Sequence, residues 1–97
     1  MAQYVALLNF TEKGVQGLKN SAAMRKQAEN AVTAVGGRVI WQGLTMGQYD
    51  VVAVIEMPGD EQALTVALGQ AMGGYVRSQT LKAFTPEEVD RIVARMP

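Results

Sequence analysis

Gly47-Gln48-Tyr49-Asp50-Val51-Val52-Ala53-Val54-Ile55-Glu56-Met57 is the stretch on which the fold of this chain turns. A glycine opens it, five apolar residues from Val51 to Ile55 fill its middle, and Pro58-Gly59 closes it. A run this short, β-branched and bounded by breakers reads as a strand buried on both faces rather than as helix. Side chains alternate along a strand. Tyr49, Val51, Ala53, Ile55 and Met57 therefore share one face, and Asp50, Val52, Val54 and Glu56 the other. A chain of 97 residues makes one domain, 1–97, with one modest core. Both faces of its sheet need cover.

Upstream, Gln3 to Phe10 is a second apolar strand, again with apolar groups on both faces. Thr11 to Gly14 reads as a cap or turn, and Gly17 and Asn20 make residues 14–20 a separate turn. A helix is expected from Ser21 to Val35, with Met24, Ala28, Ala31, Val32 and Val35 on one stripe, stopped by Gly36-Gly37. Arg38 to Thr45 reads as a strand that reverses through Met46-Gly47-Gln48 into the organising one, an antiparallel hairpin. Downstream, Asp60 to Met72 is an amphipathic helix whose expected inner stripe is Ala63, Leu64, Ala67, Leu68, Ala71 and Met72. Asp60 and Glu61 lie at its positive end, Gly73-Gly74 stops it, and Gly69 and Gly73 are expected to allow close packing. Tyr75 to Phe84 is a polar strand suited to a sheet edge. Thr85-Pro86-Glu87-Glu88 then carries a capping box into a short helix with Val89, Ile92, Val93 and Met96 on one face.

Strand, helix, strand, strand, helix, strand, helix folds by right-handed crossovers into an α+β ferredoxin-like βαββαβ plait with a C-terminal helix. Its first and third strands lie in the centre, and they are the two most apolar here. In such a plait the helices cover one side of the sheet only. Leaving the other side's apolar residues in water forgoes about 1.5–3 kcal/mol each. A homodimer through the sheet faces is therefore expected, with Asp50 and Glu56 towards the rim and the order above two left open. The terminal helix, at about three turns, is too small to cover four strands instead.

Composition narrows the function by exclusion. Lys plus Arg equals Asp plus Glu at nine each and no basic run occurs, so nucleic acid is not an expected partner. Without cysteine or histidine there is no thiol nucleophile, no thiolate metal site and no imidazole base. No metal or other cofactor is expected, and no catalytic constellation is visible. The six methionines are dispersed and read as core filler. No export signal or membrane span is evident, which makes a cytoplasmic location the expectation.

Thr45-Met46-Gly47-Gln48-Tyr49-Asp50 resembles the GYD-domain family, named for the glycine, tyrosine and aspartate standing here at 47, 49 and 50. The likeness extends through Phe10-Thr11-Glu12-Lys13-Gly14, Arg25, Gly36-Gly37, Glu56, Pro58, Asp60 and the tail from Val76 to Glu88. It implies a small bacterial protein of the dimeric α/β-barrel type, in a family of unknown function. A looser likeness is to the sensor domain of feast/famine transcription regulators, which bind amino acids at subunit interfaces. This chain lacks their helix-turn-helix.

Six residues are candidate ligand contacts: Thr11, Arg25, Trp41, Tyr49, Asp50 and Arg77. Gly47, Tyr49 and Asp50 would form a polar rim on a pocket; the structural alternative is a turn glycine, a packed ring and a carboxylate accepting backbone or Arg hydrogen bonds. Trp41 would stack on a planar ligand or fill an interface. Arg25, Arg77 and Lys19 would meet a carboxylate or phosphate, or stay solvated or ion-paired. Thr11 and Gly14 would donate to an anion or simply cap a helix. Asp50 and Glu56 lie roughly 20 Å apart at strand rise, too far for an acid/base pair. These features point to a non-catalytic, oligomeric small-molecule-binding or accessory protein. The alternatives are a cofactor-independent oxygenase or isomerase using Trp41, Asn9, Tyr49 and Arg25, and a stand-alone amino-acid sensor.

Overall fold

A computed structural model describes residues 1–97. The elements run β1 (Ala2–Phe10), α1 (Glu12–Gln16), a 3-10 turn (Leu18–Asn20), α2 (Ser21–Ala34), β2 (Arg38–Leu44), β3 (Val51–Met57), α3 (Asp60–Gly73), β4 (Val76–Ala83) and α4 (Pro86–Ala94). The strands form one antiparallel sheet in the order β2-β3-β1-β4, the ferredoxin-like plait read from the sequence. The two apolar strands are central: Tyr4 opposes Ile55 and Leu8 opposes Val51. Helices α2 and α3 end where glycine takes a left-handed conformation, at Gly36 (φ 85°) and Gly74 (φ 76°). At α4 the capping box forms as read, Thr85 accepting from the Glu88 amide while Glu88 accepts from the Thr85 amide.

Strand β2 slips register between Val39, opposite Ile55, and Trp41, opposite Val54. Ile40 is the extra residue of a bulge. The slip turns Val39, Gln42 and Leu44 towards the helices and Trp41 and Gly43 away from them. The closed core, Tyr4, Val32, Ile55, Met57 and Ala63, sits at one end of the helix–sheet layer.

Helix α3 is rotated from the orientation its hydrophobicity suggests. Ala63, Val66, Ala67 and Gln70 face inward, whereas Leu64, Leu68 and Met72 are exposed, Met72 by 88%. The fixed point is Asp60, whose carboxylate accepts from the Tyr4 hydroxyl and pairs with Lys82. That tether places small residues over the sheet. The expected close packing at Gly69 is also absent, since a Cβ added there would meet nothing within 4 Å.

On the far side of the sheet Val5, Leu7, Val52 and Val54 are half-buried and Trp41 and Leu81 are exposed. Helix α4 does not cover them; it packs closely against no other element, and Val89, Ile92, Val93 and Met96 stand exposed. Six of 97 residues are buried, and the accessible surface is 6696 Å². A folded monomer of 10.4 kDa exposes about 5,400 Å², so the chain carries roughly 1,300 Å² more than its mass calls for. The radius of gyration, 14.7 Å, likewise exceeds the ~12.5 Å of a compact domain this long.

Candidate functional site

Small residues in the helices leave space above the sheet. Over the half of the sheet that carries Leu8, Phe10 and Val51, the facing residues are Met24 and Ala28 from α2 and Ala67 and Gly69 from α3, the last with no side chain at all. They do not fill the gap. A cavity of about 280 Å³ remains between sheet and helices, its wall predominantly apolar. Polar groups line it at intervals: Ser21 and Gln27 from α2, Gln42 from β2, Gln70 from α3, and Ser78 and Thr80 from β4. Of the 26 lining residues, Arg25 alone is charged. Its guanidinium donates to the Ser21 hydroxyl one turn back (3.4 Å) and makes no ion pair, the two salt bridges being Arg38–Glu56 and Lys82–Asp60. Gln42 is held by the Glu29 carboxylate at 2.7 Å.

Of the six sequence candidates, Arg25 is the one that lines this cavity. Trp41 lies on the opposite side of the sheet, 53% exposed, its ring laid over Gly43 so closely that a Cβ there would come within 2.9 Å. Arg77 faces that same side, opposite Asn9 in register. Tyr49 departs from the face that strict alternation with Val51 gives it, because β3 begins only at Val51; it reaches across β1 on the far side, its hydroxyl donating to Gln79 at 3.1 Å. Asp50 accepts from the Phe10 amide at 2.9 Å, while its own amide and carbonyl bond Leu8 and Thr45. Gly47 takes a φ of 118° in the hairpin loop. The Gly-x-Tyr-Asp motif thus stitches the hairpin to β1 and β4. Thr11 caps α1, accepting from the Gly14 amide, and donates to the Gly74 carbonyl at 2.6 Å. Lys13 reinforces this clamp, bonding the Gly73 carbonyl and stacking over the Tyr75 ring.

One polar constellation is invisible in the sequence pattern. Tyr4, Asp60 and Lys82 converge at the N-terminus of α3 from three separate elements. The hydrogen bond to Asp60 pushes the Tyr4 phenol up to about 12, helped by burial and the neighbouring negative charge. The same bond, with Lys82 beside it, holds the Asp60 carboxyl below its ordinary range. Tyr4 stays protonated as a donor at neutral pH, so the group ties helix to sheet and offers no base. Residues 4 and 60 share no local spacing that could have announced the contact. Glu56 is held low by the guanidinium of Arg38, and it lies at the opposite end of β3 from Asp50. No group of three or more carboxylates is placed to hold a metal ion.

Sheet order, hairpin motif and helix placement define an α+β ferredoxin-like domain with a cavity on its helical side. The GYD domain profile matches residues 4–93, and the chain belongs to that family. No curated protein matches it. No helix is long and apolar enough to cross a membrane.

Proposed function

We propose that this GYD-domain protein is an oligomeric, non-catalytic binder of a small, mainly apolar molecule held between the sheet and helices α2 and α3. The carrying observation is the ~280 Å³ space with apolar walls. Protein interiors close such gaps, because an unfilled cavity forfeits dispersion contacts. Its size approaches the lower end of the ~300–1,000 Å³ typical of ligand sites. Asn9, Trp41 and Tyr49 lie across the sheet from Arg25, which favours binding over the oxygenase or isomerase alternative.

Support for the oligomer comes from area. The surplus of roughly 1,300 Å² exceeds the ~800 Å² each partner contributes to a standard interface. Two copies related by a two-fold axis, open faces together, would cover Trp41, Val52, Val54 and Leu81. The exposed rows on α3 and α4 are available for assembly beyond two copies.

The test of the cavity is calorimetric titration with octan-1-ol, an uncharged probe. Saturable binding to the wild type, lost in Ala67→Leu, is the expected result. Absence of binding, or equal binding by Ala67→Leu with an intact fold, would refute the reading.

A further inference from the structure

Resting on that cavity reading, we infer that the ligand is a monocarboxylate with an apolar body, its acid group at Arg25. Three observations combine. The cavity's one charge is positive, and it belongs to an arginine without a carboxylate partner. Arg25 is exposed, so an anion meeting it stays partly hydrated while the apolar remainder enters the cavity. The charge is also single: no lysine and no second arginine lines the space, which suits a monoanion better than a phosphate dianion. An α-amino acid would bring an ammonium group into a cavity lined by no carboxylate.

Size narrows the class. At ~30 Å³ for each solvent-sized volume the space holds roughly nine. A medium-chain or aryl-substituted acid of about ten non-hydrogen atoms matches it. Guanidinium and carboxylate meet in a two-pronged hydrogen bond, and Ser21, one helical turn back, already holds the arginine.

The experiment compares octanoate, octan-1-ol and octylamine on wild type, Arg25→Gln and Ala67→Leu by calorimetry, with circular dichroism verifying each fold. Octanoate should bind wild type more tightly than octan-1-ol, and octylamine most weakly. Arg25→Gln should weaken octanoate about 10- to 100-fold and leave octan-1-ol unchanged. Ala67→Leu should weaken both. If octan-1-ol and octanoate bind equally and Arg25→Gln alters neither, the carboxylate inference is overturned while the cavity reading stands. Octylamine as the tightest ligand overturns it too. Failure of all three probes removes the cavity reading and this inference with it.

Discussion

Substituting Val54→Lys tests the assembly directly. Val54 is central on the open face, opposite Val5 on β1 and Trp41 on β2. In an isolated chain the lysine would reach water from this uncovered surface, so the fold should survive. In a face-to-face pair it would be buried without a counter-ion, at about 3–5 kcal/mol for each uncompensated charge. Two-fold symmetry places two such charges in one interface. Even one at the lower figure weakens the dissociation constant more than ~100-fold. Light scattering coupled to gel filtration should give twice 10.4 kDa for wild type at micromolar concentration, and 10.4 kDa for Val54→Lys. The wild-type melting temperature should rise with protein concentration and the variant's should not. A wild type that runs at single-chain mass, or a correctly folded Val54→Lys that remains paired through this face, would refute the reasoning.

Gly14→Ala would bring a Cβ within 2.1 Å of the Tyr75 carbonyl oxygen, disturbing the clamp of Thr11 on Gly74. Denaturant unfolding should show a loss of about 2–4 kcal/mol. Gly69→Ala, in open space on α3, should instead stabilise by ~0.5–1 kcal/mol through helix propensity. Thr85→Ala removes the α4 cap and should cost that helix about 0.5–2 kcal/mol, read by amide exchange in α4. The acid limb of stability follows from Glu56, Asp60 and Glu88, all held below their ordinary values. Such groups contribute stability above their unfolded pKa, near 4, and lose it as pH falls through the lower folded values. Asp60→Asn should therefore flatten the acid limb. Tyr4 works in the opposite sense, its contribution intact below 10.0 and lost as pH rises through about 12.

The central strands were legible because their message is local: both are apolar runs, and β3 is further bounded by Gly47 and by Pro58-Gly59. The capping box at Thr85 was legible for the same reason. Helix α3 was not. Periodicity joins Ala63 and Ala67 to Leu64, Leu68, Ala71 and Met72 in one stripe, and of these Ala63 and Ala67 do face the sheet, whereas the other four are exposed and Val66 and Gln70 turn inward in their place. The rotation is instead set by Asp60 on Tyr4, a contact between residues 56 positions apart. The cavity depends on that rotation and was hidden with it. Arg25 could be named as a cation, but only the fold separates it from Arg77, across the sheet, and Lys19, in the 3-10 turn.

The extra residue at Ile40 bears on strand addition at the sheet's edge. An outermost strand that kept perfect register would offer an unbroken row of amide and carbonyl groups on which a foreign strand could template. Here the row is interrupted midway along β2, and the other margin, β4, carries Arg77 and Lys82. Lateral addition is discouraged at both borders of the sheet. The proposed face-to-face pairing of the uncovered hydrocarbon would then close on itself, whereas growth by added strands would meet an obstacle at either border.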